Sequence, residues 1–162
     1  MLVDSYVLLI ICIFILFFII ILFPKCLKVY QKRKEERLAV KSGIKEIDMM
    51  SGYEFEEYLK ALFKRLGYKA VVTKKSGDYG ADLVLKGGKR IVVQAKRYRK
   101  KNNVGINAVR EVYGAKAYYE ADEAWVVTNS YYTRQANELA RKCEVKLLNR
   151  DKLQEFIVQV NK

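Results

Sequence analysis

The chain has 162 residues, of which 51% are hydrophobic and 30% are charged, and this composition excludes an intrinsically disordered protein. Lys and Arg number 31 against 18 Asp and Glu, and the net charge of +13 favours a polyanionic partner, either nucleic acid or an anionic membrane face. The sequence has no histidine, which excludes catalytic and zinc sites that depend on an imidazole. Its three scattered cysteines are too few for a disulfide framework.

The first predicted element is an apolar segment at the N-terminus. Residues 7–23 are all apolar, and with Tyr6 they form an 18-residue run. As a helix this run would be about 27 Å long, close to the thickness of a bilayer core. Basic residues follow it, and positive charge beside a membrane span marks the cytoplasmic side. We therefore predict a single-pass anchor over residues 1–24 and a cell-membrane location with the remainder in the cytoplasm; a buried core helix and a cleaved signal peptide are the alternatives.

The remaining chain is predicted to hold a stalk and one folded domain. Residues 25–50 predict a basic helical stalk, and residues 51–162 predict the domain, which begins at a capping-box pattern of Ser51 and Glu54. Periodicity and turn residues then predict a helix that ends at Gly67, strands over 69–73, 81–85 and 90–95, a helix over 104–119, a strand over 123–128, a helix over 133–142, a strand over 145–148, and a helix over 151–160 capped by Asp151. This order indicates an α/β fold with a mixed sheet flanked by helices.

Polar side chains interrupt two of the apolar strands. Asp82 begins the second predicted strand, and Gln94 and Lys96 end the third, where residues two apart share a face. A hairpin through the sequence KGGK joins these strands, so a carboxylate, an amide and an ammonium can converge. A carboxylate and a backbone carbonyl of the Gln-x-Lys strand can hold a divalent cation, and the lysine can orient water or offset transition-state charge. Glu56 can add an oxygen if the first helix crosses the sheet.

Each of these residues also has a simpler interpretation. Asp82 is typical of a turn, the Gln-x-Lys pair of a solvated strand end, and Glu56 of a helix surface. A basic run follows the third strand and has the composition of a phosphate-contacting loop, although a solvated or membrane-facing loop has the same composition. Its members are Lys96, Arg97, Tyr98, Arg99, Lys100 and Lys101.

Taken in order, several blocks between residues 51 and 153 carry a family resemblance. They read SGYEFEEYLKALFKRLGY, SGDYGADLVL, VVQAKRY, VREVYGAK, AWVVTNSYYTRQANELA and VKLLNRDKL. With these blocks the sequence resembles the Mrr-like branch of the PD-(D/E)XK superfamily of restriction endonucleases. The resemblance implies a restriction-endonuclease-like fold and Mg²⁺-dependent hydrolysis of DNA phosphodiesters, with Mn²⁺ as another possible cation.

The resemblance also implies roles for individual residues. The catalytic residues would be Asp82, Gln94, Lys96 and Glu56, and the metal ligands Asp82, Glu56 and the backbone carbonyl of Ala95. Independently of the resemblance, the composition of the basic run predicts the DNA-contacting residues, which are Arg97, Tyr98, Arg99, Lys100 and Lys101. Two departures from the family stand out. The wider superfamily has an acidic residue where this chain has Gln94. Methylation-dependent enzymes of the family carry a separate DNA-reading domain, which we do not expect in this chain.

The leading hypothesis for function is a membrane-tethered, metal-dependent DNA endonuclease of the type IV, Mrr-like kind. One alternative is a catalytically silent nuclease fold that binds nucleic acid at the membrane. Another is a membrane-associated interaction or assembly factor whose basic surface meets lipid or an acidic protein. The expected partners are DNA, the membrane and a second copy in a homodimer, without a small-molecule cofactor.

Overall fold

The computed structural model describes residues 11, 14, 16–28, 30, 43–73, 79–98 and 102–161. It divides into two units, Met1–Arg37 and Leu38–Lys162, and in the first unit residues 16–28 are helical. No helix among the described residues combines the length and apolarity that a bilayer crossing requires. This finding contradicts the predicted location in the cell membrane, and it does not support the predicted anchor over residues 1–24. Residues 1–10, 12, 13 and 15 of that segment, and residues 29 and 31–42 of the predicted stalk, lie outside the described residues.

The second unit alternates helices and strands in the predicted order, with one short helix added in front. Its elements are α1 (Ile44–Ile47), α2 (Gly52–Arg65), β1 (Lys69–Val72), β2 (Leu83–Gly87), β3 (Lys89–Lys96), α3 (Ile106–Tyr118), β4 (Glu123–Thr128), α4 (Arg134–Lys142), β5 (Val145–Leu148) and α5 (Arg150–Val160).

The five strands form one sheet in the order β1-β2-β3-β4-β5. The first three strands are antiparallel to one another, and Leu83 lies opposite Val93 where β2 pairs with β3. Strands β3, β4 and β5 are parallel, and Gln94 lies opposite Val126. The predicted mixed sheet is therefore confirmed, and the hairpin between β2 and β3 brings the start of β2 beside the end of β3.

Helices cover both faces of the sheet, so the core has two layers. Ile91 and Val93 of β3 pack on one face with apolar side chains of α2 and α5. Val92, between them in sequence, packs on the other face with side chains of α3 and α4. This alternation follows from the strand geometry, in which successive side chains point to opposite faces. Ile47, in the predicted stalk, is fully buried in the first layer.

The helix ends follow local hydrogen-bonding signals. Ser51 and Glu54 form the predicted capping box: the Ser51 hydroxyl accepts from the Glu54 amide at 3.2 Å, and the Glu54 carboxylate accepts from the Ser51 amide at 2.7 Å. The cap predicted for the last helix is wrong. Asn149, rather than Asp151, caps α5 by accepting a hydrogen bond from the Lys152 amide at 3.0 Å.

Candidate active site

Asp82 lies in the turn that leads into β2, beside the end of β3. Its main chain is already paired, because its amide donates to the carbonyl of Val93 at 2.8 Å and its carbonyl accepts from the Thr73 amide at 2.9 Å. Its carboxylate oxygen Oδ2 accepts two hydrogen bonds, from Gln94 Nε2 at 2.6 Å and from the Ala95 amide at 2.7 Å. The antiparallel hairpin thus joins the carboxylate to two consecutive residues of β3.

The Gln94 side chain is only 6% exposed, and its two polar atoms have different surroundings. An ionised carboxylate only accepts hydrogen bonds, so the contact with Asp82 requires the Gln94 NH₂ group on that side. The remaining amide oxygen, Oε1, is then buried without a hydrogen-bond partner among the described residues. Leaving a buried acceptor unsatisfied costs about 1–3 kcal/mol, so a water, another hydrogen-bond donor or a cation at this oxygen would stabilise the folded site.

Lys96 lies on the same face of β3 as Gln94, two residues further on. Its main chain is held by Thr128, whose hydroxyl donates to the Lys96 carbonyl at 2.6 Å. Its ammonium forms an ion pair with Glu111 of α3, with 2.7 Å between Lys96 Nζ and Glu111 Oε2. Glu111 is not among the residues predicted for the site. The sequence block VREVYGAK contains it, but no spacing in the sequence relates this helix position to the end of β3.

The structure therefore brings Asp82, Gln94, Ala95 and Lys96 together at the end of β3. Glu56 is half-buried on α2, the helix that packs against the opposite face of the sheet from Gln94 and Lys96. The roles of these residues in catalysis and metal binding stay predictions.

The donor set at Asp82 fits a divalent cation of the hard type. Mg²⁺ and similar cations prefer carboxylate, amide and backbone carbonyl oxygens. Asp82 supplies a carboxylate, Gln94 a buried amide oxygen without a hydrogen-bond partner among the residues that the structure describes, and Ala95 a main-chain carbonyl on the same strand end. Within the described ranges, no three Asp, Glu or Cys side chains cluster closely enough to bind a metal. A cation here would depend on the amide and main-chain oxygens.

A second polar cluster lies beyond the ends of the parallel strands. Asp48 forms a two-pronged ion pair with the Arg150 guanidinium, at 2.7 and 2.8 Å, and accepts from Asn129 Nδ2 at 2.8 Å. The hydrogen bond from Arg150 is the main cause that lowers the pKa of the Asp48 carboxyl below its ordinary value. A cavity of about 710 Å³ opens beside these residues. The cluster joins α5 to the segment before α2.

The predicted DNA-contacting run begins beside this cluster. Tyr98 is held through its main chain, since its amide donates to Asn129 Oδ1 and its carbonyl accepts from Asn129 Nδ2, both at 2.9 Å. Arg97 Nε is buried without a hydrogen-bond partner among the described residues. Arg99, Lys100 and Lys101 lie outside the described residues. The contacts of this run with DNA stay a prediction.

The five-stranded mixed sheet with helices on both faces matches a known class of fold. The restriction-endonuclease-like α/β fold is that of AspBHI, a DNA modification-dependent restriction endonuclease, which superposes with a TM-score of 0.57 at 18% identity over 82% of this chain and 36% of that chain. A protein of unknown function, AF1548, superposes with a TM-score of 0.58 at 15% identity over 68% of this chain and 65% of that chain. The chain thus spans less than two thirds of either neighbour.

Sequence comparison then identifies the family. The family model of the Mrr catalytic domain, described as restriction endonuclease, matches residues 47–157, which is more than half of the chain. The chain belongs to this restriction endonuclease family, and the predicted family resemblance is confirmed. Among curated proteins none matches the sequence significantly. The restriction endonuclease MspJI, solved with a 27-mer oligonucleotide, superposes at 19% identity over 85% of this chain and 31% of that chain, but its TM-score of 0.45 is too low to establish a common fold.

Proposed function

We propose that this protein is a DNA endonuclease that hydrolyses phosphodiester bonds with a divalent cation, Mg²⁺ or Mn²⁺. One observation carries the proposal: the buried Gln94 side chain donates from Nε2 to the Asp82 carboxylate, and its Oε1 has no hydrogen-bond partner in the described part of the chain. Membership of the restriction endonuclease family and the net charge of +13 support DNA as the substrate.

Each residue of the site has a chemical task in this proposal. Asp82, Gln94 Oε1 and the Ala95 carbonyl would hold the cation, and Glu56 would join them if its carboxylate reaches around the end of the sheet. When bound, the cation supplies Lewis-acid stabilisation to a phosphoryl oxygen. Lys96 places a positive charge next to the scissile phosphate, where it stabilises the negative charge that grows in the transition state. The run from Arg97 to Lys101 would contact flanking phosphates.

Cleavage of supercoiled plasmid by the full 162-residue chain tests this proposal. The substitutions are Asp82→Asn, which keeps an oxygen to accept from Gln94 and Ala95 but removes the charge, and Lys96→Gln. Each should lower the cleavage rate by about 100-fold or more, the usual loss when a charge-stabilising group is removed. The matched control is Lys89→Gln at the opposite end of β3, where the lysine pairs with Glu123 at 2.8 Å and is remote from the site. It should cleave at the wild-type rate.

The cation requirement is tested in the same assay with Mg²⁺, Mn²⁺ or EDTA. Cleavage should need a divalent cation, and the cation should raise the melting temperature of the wild type but not of Asp82→Asn. Cleavage that persists in EDTA, or wild-type rates in both site variants, would contradict the proposed mechanism.

Nicked and linear products report whether one or two strands are cut, and sedimentation with DNA reports whether the predicted homodimer forms.

The second candidate is a nucleic-acid-binding module without catalysis. The amide at position 94 favours it, because an amide holds a cation less strongly than a carboxylate does. A folded wild type that binds duplex DNA with steep salt dependence, but cleaves under none of these conditions, would establish this alternative.

A further inference from the structure

Glu111 lies where it can determine the position of the Lys96 ammonium. The Lys96 main chain is fixed by the β3–β4 register and by the Thr128 hydroxyl, so its long side chain is the part that remains mobile. A lysine side chain carries about 2 kcal/mol of rotamer entropy when unrestrained. The ion pair with Glu111 selects one position for the ammonium; the Lys96 side chain is partly buried, at 29% exposure, whereas the Glu111 side chain is exposed, at 42%.

The backbone around Glu111 is itself in contact with the turn that carries Asp82. Gly80, two residues before Asp82, has φ of +87°, and a Cβ built there would lie 2.5 Å from the Glu111 carbonyl oxygen and 2.8 Å from its carbonyl carbon. Only glycine allows this approach without displacing one of the two segments. The Asp82 turn and α3 therefore meet main chain to main chain at Glu111.

A second contact joins the same two segments. The ring of Tyr79 stacks on the ring of Tyr118 of α3, with 3.7 Å between ring centroids and 21° between ring planes. Contacts at Glu111 and at Tyr118, seven residues apart on the helix, fix both the distance of α3 from the turn and its direction. The main chain of Glu111 is thereby held in a defined place relative to the Asp82 turn, and the ion pair with Lys96 sets the position of its carboxylate.

We propose that Glu111 is a positioning residue for Lys96: it fixes the ammonium beside the Asp82–Gln94 pair and does not itself touch the substrate. The inference rests on the proposed endonuclease function. The proposal gives the Lys96–Glu111 pair a role that the Lys89–Glu123 pair does not have. The Lys89–Glu123 pair has a similar length of 2.8 Å but lies at the start of β3. Ion pairs with an exposed partner contribute about 0–1 kcal/mol to stability, so the effect expected of Glu111 is on the position of the ammonium and not on the stability of the fold.

The test measures kcat and KM for plasmid cleavage by the full chain in Glu111→Gln, Glu111→Ala and the control Glu123→Gln. Loss of positioning should lower kcat by about 10- to 100-fold, in line with the effect of small misplacements in active sites, while KM changes little. Glu111→Asp should recover part of the rate lost in Glu111→Ala. The Mg²⁺ concentration for half-maximal rate should not change, and all variants should unfold at similar urea concentrations.

Each other outcome has a definite meaning. If the wild type cleaves DNA and Glu111→Gln cleaves at the same rate, the positioning role is refuted and the endonuclease function stands. The role is also refuted if Glu123→Gln loses as much activity, or if Glu111→Gln needs more Mg²⁺, since Glu111 would then act through stability or as a cation ligand. A wild type that does not cleave refutes the proposed function itself, and the positioning role with it.

Discussion

Replacing Gly80 by alanine tests whether the turn before Asp82 and helix α3 are packed as tightly as the structure indicates. The added methyl group has two separate costs. The first is conformational, because Gly80 has φ of +87°, and an L-residue in the left-handed region costs about 1–2 kcal/mol. The second is steric, because the new Cβ would lie 2.5 Å from the Glu111 carbonyl oxygen. Overpacking of this kind costs about 1–3 kcal/mol.

Gly88, in the hairpin between β2 and β3, provides a matched control. It also has a positive φ, of +73°, but a Cβ built there has no described atom within 4 Å. Gly88→Ala therefore has the conformational cost alone, about 1–2 kcal/mol. Gly80→Ala has both costs, so its free energy of unfolding should fall by about 2–5 kcal/mol. The difference between the two variants isolates the contact with α3.

Urea denaturation of both variants and of the wild type measures these changes, with m-values compared to verify that the same surface unfolds. Cleavage assays on the folded fraction add a functional measurement, because a displaced α3 would move Glu111 away from Lys96. Equal destabilisation in the two variants would refute the close packing of the turn against α3. It would also remove the structural basis for a fixed Glu111 carboxylate.

Two other predictions concern stability away from the site. Asp48→Asn should lower the free energy of unfolding near pH 7 by about 2 kcal/mol, because it breaks a charged hydrogen-bonded pair with Arg150. Because the pKa of the Asp48 carboxyl is lowered in the folded state, its stabilising effect is fully present above the unfolded pKa of about 3.9. The effect is lost as the pH falls through the folded-state pKa, so the free energies of unfolding of the wild type and Asp48→Asn should converge in acid. Asn149→Ala should cost about 1 kcal/mol as the loss of a helix cap, and Asp151→Ala about half of that through the helix dipole; the reverse order would make Asp151 the cap.

Elements with a strong local pattern were predictable from the sequence. The bounds of β4 and β5 agree with the prediction. In β4 a continuous apolar run is buried on both faces of the sheet, whereas in β5 the exposed Lys146 lies among apolar residues. The start of α3 was predicted two residues too early. Val104 instead forms an isolated parallel bridge with Tyr132. A pairing between residues so far apart in sequence produces no hydrophobic periodicity from which it could be predicted. The cap of α5 was misassigned because two residues of nearly equal capping preference stand close together.

In the candidate site, too, contacts within the hairpin were predictable from the sequence, whereas contacts between residues distant in sequence were not. A tight hairpin places Asp82 opposite the end of β3, so its approach to Gln94 could be expected from the turn sequence alone. The partner of Lys96 could not, because Glu111 reaches it only through the packing of α3 on the sheet. The pair of Asp48 and Arg150, 102 residues apart in sequence, depends on the packing of α5 in the same way.

The glutamine at position 94 has a physical consequence for how the site is assembled. A carboxylate in its place would lie within hydrogen-bonding distance of the Asp82 carboxylate, in a position where the present side chain is 6% exposed. Two carboxylates at hydrogen-bonding distance repel each other strongly in a poorly hydrated site. Such a pair would destabilise the folded protein unless a cation or a proton lay between them. The Gln94 amide nitrogen donates to Asp82 instead, and the amide oxygen is buried without a hydrogen-bond partner among the described residues. In the proposed cation site, the strand ends would therefore be arranged before any cation binds, and the missing negative charge would lower the affinity for the cation.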